Sequence, residues 1–398
     1  MRVWEGSLAM RDCLTFYPKC LTDLSNFDTV IVDSFSPILP NTALVASADA
    51  FFGVVKHDYL NYRNRGMFLE HPEKCMLVYR LRENTSTYLG LIAGLPAEQY
   101  TKGKIKKHEG TLAASEQQQL QLLVLREAVV KPVLLTYPSV AEIDDRLQQI
   151  VNEQPPLLSI EDGATICHDL FEIRKGGADE LFFKSAFAKT VDALYIADGH
   201  HRCSTLARYN KEQVAKGEAP IPLMAALFSS KQVNVQAFHR SVHLPVELSP
   251  LGLLARLSDL CTITPLTEPA LPTARHQMTL LIGDESFSLR WRPECFSKEE
   301  KQTDTTTLDA GLFNQLIAAP IFGITDVRTD QRINYVPGNK GLRGMLDRVQ
   351  RRPDRVGFML YGIEAEDLFQ IVDEGLIMPP KSTWFEPRLR NGLVVLEV

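Results

Sequence analysis

Cysteine pairing, an excess of positive charge and long apolar runs are all missing from this chain. It has seven cysteines, an odd number, and no two of them form a Cys-x-x-Cys pair. That pattern argues against a disulfide framework or a zinc knuckle, and a reducing cytoplasm is the simplest compartment. No stretch reaches the roughly 18 apolar residues of a membrane span. The first twenty residues, MRVWEGSLAMRDCLTFYPKC, interrupt every apolar run with charge, so neither export nor insertion is expected. Lys plus Arg number 43 against 49 Asp plus Glu, a net charge of -6. A field of that sign repels phosphate polymers, so nucleic acid is not an expected partner.

Several catalytic signatures are absent too. There is no Gly-x-x-x-x-Gly-Lys-Ser/Thr loop, no Gly-x-Gly-x-x-Gly, no His-Glu-x-x-His and no Gly-x-Ser-x-Gly. A P-loop ATPase, a Rossmann dehydrogenase, a zincin and an α/β-hydrolase thereby lose their usual support. What is present is a globular composition, 45% hydrophobic and 23% charged over 398 residues. That length suggests two or three compact units.

The elements alternate in type, which points to an α/β or α+β fold. The first 70 residues are the least legible: FDTVIVDS looks like a buried strand, and Thr42 to Val55 fits helix or strand equally. CMLVYRL and TYLGLIAGL, separated by RENTS, predict a hairpin from Cys75. Capping boxes at Ser115/Gln118 and Ser139/Glu142 predict two helix starts, the second after the strand PVLLTYP. LLSIED, Asp162-Gly163 and ATICHDLFEI form another expected hairpin. ALYIA reads as a short buried strand, with a helix from Cys203 and then the strand PLMAALFSS. LPVELSP is a candidate linker, and a second unit follows with strands MTLLIG and SFSLRWR, a polar loop from Pro293 to Thr307 and a helix over EAEDLFQIVDE. The divisions expected are an N-terminal segment 1–74, a core 75–245 and a C-terminal α+β unit 246–398.

The densest polar cluster is Asp198-Gly199-His200-His201-Arg202, between a buried strand and a helix. Gly199 permits a tight turn, and the free N–H groups of the helix start, its dipole and Arg202 make an anion site best suited to phosphate. His200 and His201 add hydrogen bonds, and Asp198 either fixes a His tautomer or helps to hold Mg²⁺. A simple capped helix and a His-based transition-metal site are the competing readings, the latter weakened because no partner ligand stands at a suitable spacing. His108-Glu109 follows the basic run KGKIKK: a carboxylate there either accepts a proton from an attacking hydroxyl or balances Lys104, Lys106 and Lys107. His239-Arg240 either binds a substrate carboxylate or second phosphate, or pairs with an internal acid. Lys381-Ser382-Thr383, between Pro379-Pro380 and Trp384-Phe385, either closes over a nucleotide or serves as docking surface.

Strand, Gly-x-x-Arg-type turn and helix together resemble the phosphate-binding element of the ParB and sulfiredoxin superfamily. The form Asp-Gly-His-His-Arg is similar to that of the SerK-type free-serine kinases. GLIAGLPAEQYTKGKIKKHEGT, PVLLTYP, LYIADGHHRCSTLARY, AFHRSV and MPPKSTWFEPRLRNGL resemble, in order, a large bacterial and archaeal family related to SerK. The likeness runs from about residue 75 to the C-terminus. The start departs, offering VDSFSPIL where such proteins carry a proline-rich turn and a Tyr-Asp pair. A sulfiredoxin nucleophile would have to stand where His200 is, and Cys203 reads as a packed thiol.

The resemblance implies a ParB/sulfiredoxin-like mixed-sheet core carrying a kinase that moves a phosphoryl group from ATP or ADP, with Mg²⁺, to a small hydroxyl amino acid such as L-serine. Glu109 would be the catalytic carboxylate, with His108 and Asp198 beside it. Gly199, His200, His201, Arg202, Lys381, Ser382 and Thr383 would hold the nucleotide, Asp198 the metal, and His239 and Arg240 the acceptor. The other function class open to the sequence is a nucleotide-binding regulator whose C-terminal unit recognises a protein partner.

Overall fold

The chain is seen in a computed structural model that describes residues 28–110, 113–296, 308–352 and 354–398. Cys13, Cys20, Thr111 and the polar loop from residue 297 to 307 lie outside them. The fold is mixed α+β, as the alternating elements predict.

The larger sheet has eight strands, in the order Ile105–Lys106, Leu194–Asp198, Val133–Tyr137, Leu223–Ser229, Ser86–Leu95, Cys75–Glu83, Ile166–Arg174 and Leu158–Glu161. Two of its pairings are parallel, Leu194–Asp198 with Ile105–Lys106 and Leu223–Ser229 with Val133–Tyr137. The central strands are apolar almost throughout because both faces are covered, so their alternate residues enter two different cores. Met76, Val78, Leu91 and Leu135 meet the helices Ala141–Glu153 and Ala178–Thr190 through Ile143, Leu147, Phe183 and Phe187. Leu77, Tyr79, Ile92 and Phe228 meet the helix Ala48–Asn64 through Phe51, Phe52 and Val55.

A second, six-stranded sheet is antiparallel throughout, in the order Cys261–Pro265, Glu285–Trp291, Gln277–Ile282, Arg355–Leu360, Phe238–His243 and Ile333–Pro337. One face packs on Leu253, Phe313, Ile317 and Phe322, and the other on Met345 and Val349 of the helix Gly341–Gln350. After this sheet the chain returns to the first. The helix Ala365–Asp373 lays Leu368 and Phe369 into the first core, Trp384–Glu386 pairs with Asn234–Gln236, and Leu396–Glu397 pairs with Ala128–Val129. That return carries the Lys381 turn to the larger sheet.

Three local expectations are corrected. Within FDTVIVDS, of which residues 28–34 are described, Val30 and Val32 are buried, but instead of a strand the segment makes a single bridge, Asp33 to Gly94, followed by Phe35 to Cys75 just beyond it. Ser139 is not a cap: its hydroxyl donates to Asp144 at 2.7 Å, and the helix opens after Val140. Ser115 lies within the helix Ala113–Arg126 rather than before it. No described helix is long and apolar enough to cross a membrane.

Candidate functional site

The buried strand Leu194–Asp198 delivers Asp198 to its end, and Gly199 turns the chain at once into the helix His200–Ala215. Gly199 has φ 108°, in the left-handed region, and a Cβ there would lie 2.8 Å from Nη2 of Arg202. Only glycine fits both conditions.

Asp198 is the electrostatic hub. Its Oδ2 accepts from Arg202 at 2.7 Å and Lys131 at 3.3 Å, and its Oδ1 from Arg388 at 2.9 Å. Burial would raise its pKa, but Lys131, Arg202 and Arg388 together hold the carboxyl far below its ordinary value. Burial in turn lowers the Lys131 ammonium to about 8, against the pull of Asp198.

Two residues on, the environment reverses. His200 meets His108 edge to face, ring centroids 4.4 Å apart, and both imidazoles are buried. Burial lowers His200 to about 4, against the attraction of Asp198, and burial and then His200 push His108 well below its usual value. Both rings are neutral near pH 7. Among the described residues His108 Nδ1 and His200 Nε2 have no hydrogen-bond partner, while His108 Nε2 lies 3.3 Å from the Thr383 hydroxyl. Glu109 completes a trio with these rings, one ligand atom from each lying within 4.8 Å of the others. Two neutral imidazoles and a carboxylate suit a divalent transition ion. The sequence hid this trio because His200 stands some ninety positions from the adjacent His108 and Glu109.

The C-terminal return closes over this point. Met378 N–H donates to the carbonyl of His108 at 2.9 Å, and the Ser382 hydroxyl to that of Pro379 at 2.6 Å. The result is a cavity of about 110 Å³ bordered by His108, Glu109, Asp198, His200, Lys381, Ser382, Thr383 and Arg388. Seven of the residues singled out from sequence thus share one space.

Others are placed differently. Arg202 turns back to the carbonyls of Lys131 and Pro132 and to Asp198, so its donors are occupied by the protein itself. His201 does not border the cavity. His239 sits in the second sheet, its Nδ1 accepting from Leu360 N–H at 3.3 Å. Arg240 is fully buried, donates to the carbonyls of Phe238 and Lys381, and lies between the rings of Phe313 and Tyr335. Its guanidinium holds the Lys381 turn in place from behind. Arg388, stacked 3.5 Å over the Trp384 ring centroid, is the residue sequence reasoning passed over, although the stretch FEPRLRNGL contains it.

Residues 38–311 match the model of a family described as a protein of unknown function, DUF1015. The chain belongs to that family. No curated protein matches it. Among solved structures it is similar to C-terminally truncated SbnI from Staphylococcus aureus, at 12% identity over 75% of this chain and 85% of that one, with a TM-score of 0.39. A mutant free serine kinase in complex with ADP gives 13% identity, coverage of 78% and 94%, and a TM-score of 0.38. Free serine kinase in complex with AMP gives 13%, 73% and 88%, and 0.34.

Proposed function

We propose that this DUF1015 protein is a nucleotide-dependent kinase that phosphorylates a small hydroxyl amino acid, free L-serine foremost, with ATP or ADP as donor. One observation carries the reading. The Glu109 carboxylate borders the same small cavity as the start of the helix His200–Ala215 and the cations Lys381 and Arg388. Phosphoryl transfer to an alcohol needs those two things together, a base for the hydroxyl proton and donors for the charge gathering on the phosphoryl oxygens. A space of about 110 Å³ suits a phosphoryl group and the reacting hydroxyl rather than a whole nucleotide.

Glu109 would take the proton. The helix N–H groups, Lys381 and Arg388 would hold the phosphoryl oxygens, and the segment from Pro379 to Thr383 would exclude water. The neutral His200 and His108 can each donate one hydrogen bond without adding charge. Mg²⁺, if used, would neutralise charge on the nucleotide's phosphates. Asp198 does not fit as its ligand, since both oxygens are engaged by three cations.

The test is incubation with ATP or ADP, Mg²⁺ and a panel of hydroxyl amino acids, with products read by mass spectrometry. O-phospho-L-serine is the expected product. Nucleotide affinity without transfer to any acceptor would overturn the kinase and favour a nucleotide-binding regulator.

A further inference from the structure

Asp198 also borders a second, larger cavity of about 310 Å³, lined by the helices Ala113–Arg126 and His200–Ala215. One part of its wall is apolar, formed by Leu123, Val133, Leu206 and Leu223, and another carries Arg126, Lys131 and Arg202. Arg126 is 8% exposed, and its Nε and Nη2 have no hydrogen-bond partner among the described residues. A buried guanidinium without a counter-charge is among the least favourable arrangements a protein can hold. The carboxylate that also borders the cavity, Asp198, is engaged by Lys131, Arg202 and Arg388 and offers Arg126 no hydrogen bond. Burial itself pushes the Arg126 pKa down, the direction expected of a cation lacking its partner.

We infer that this cavity binds an organic anion, a phosphate or carboxylate group on an apolar or ring-shaped body, with Arg126 as its charge partner. Arg126, at the wall of the cavity, has two donors of its planar fork without a partner among the described residues and would turn them to the anionic group, while the leucine and valine wall takes the body. Two sources share this chemistry. One is the nucleotide of the proposed reaction, reaching past Asp198, and that branch rests on the kinase reading. The other is a separate small organic anion, which does not.

Calorimetric titration with phenyl phosphate, and with inorganic phosphate and phenol as its two halves, tests the site. Phenyl phosphate should bind more tightly than either half. Arg126→Met should weaken it by about tenfold or more, the loss of a charge-assisted pair, while the melting temperature of the ligand-free protein stays level or rises. Arg126→Lys, which keeps the charge but loses the fork, should fall between and covers the case in which Arg126→Met fails to fold. AMP added to the phenyl phosphate complex separates the sources: displacement identifies the nucleotide, and its absence identifies a separate ligand. Equal phenyl phosphate affinity in wild type and the Arg126 variants, or no binding in wild type, overturns the site. Phenyl phosphate binding retained in a Glu109→Gln protein that makes no phosphoserine would leave this site standing whatever becomes of the kinase.

Discussion

Asp198 and His200 are two residues apart and occupy opposite electrostatic regimes. The carboxylate is surrounded by Lys131, Arg202 and Arg388, all within hydrogen-bonding reach, and every one of those contacts is internal. The imidazole meets another neutral imidazole edge to face at the wall of a small cavity, with a nitrogen on each ring unpartnered among the described residues. The first region holds the turn together and the second offers unpartnered atoms to a ligand, with Arg388 bordering both. Charge density alone would have selected Asp198 and Arg202 as the reactive pair. Partner accounting selects the His108 and His200 rings, which border one small cavity together with Glu109.

The sharpest way to break this comparison is Glu109→Gln, which keeps the shape and removes the base. Phosphoserine formation should fall by about 10²- to 10⁴-fold with nucleotide affinity nearly unchanged. Turnover and calorimetric affinity measured on one sample decide it, and equal turnover would remove Glu109 from the chemistry. Asp198→Asn comes next and should act on stability first. It leaves three clustered cations without their carboxylate, a loss of about 3 kcal/mol by analogy with broken buried ion pairs, read as a shifted urea midpoint. If Asp198 were mainly a ligand for a metal ion, the midpoint would hardly move while metal affinity fell.

The two regions should also differ in acid. The Asp198 carboxyl is held below its unfolded value, so its stabilisation is complete above about pH 4 and is lost only as pH falls further, through the folded value. His200 is a histidine depressed to about 4, so below its unfolded value of about 6.5 the unfolded chain binds a proton that the folded one refuses. Stability should therefore decline as pH drops from about 6.5 toward 4, by at most about 1.4 kcal/mol per pH unit for each such histidine. His108 lies in the same sense and steepens the slope. His200→Gln should flatten it across that window in chemical denaturation series, and an unchanged slope would mean the ring is not held neutral.

How much of this was legible depended on the range over which the physics acts. The hairpin from Cys75 to Leu95 and the strand before Asp198 were readable, because β-rich apolar runs ended by turn residues are local signals. Ser139 misled because the same hydroxyl that caps helices also bonds a carboxylate one turn on, here Asp144. Glu109, His200 and Lys381 were found as separate motifs, yet their meeting in one cavity needed the chain's return from the second sheet. Lys131 and Arg126 had no sequence signal at all. Each acquires meaning only from a helix about 70 positions away, with Asp198 near one and a cavity wall near the other.

The smallest expected effect falls on the turn that joins the two regions. Lys381 has φ 57°, a left-handed conformation unfavourable for a side chain other than glycine, asparagine or aspartate. Its carbonyl is gripped by buried Arg240 at 3.2 Å, and its ammonium lies 5.2 Å over the Phe238 ring beside the cavity. The backbone strain is thus maintained by contacts from the second sheet, which places the cation where a phosphoryl group would sit. Lys381→Ala retains the strained backbone and removes the charge, so transfer to serine should drop by about threefold to tenfold relative to nucleotide hydrolysis, the range of one partly exposed charge-assisted contact. Lys381→Gly removes the same charge and also relieves the strain. It should match Lys381→Ala in the transfer-to-hydrolysis ratio while melting at an equal or higher temperature, by about 1 kcal/mol of recovered conformational energy. If Lys381→Gly restored the ratio that Lys381→Ala loses, the backbone and not the ammonium would be the functional element. If neither variant changed the ratio, the turn would be a docking surface between the two sheets and Arg388 would remain as the cation facing the cavity.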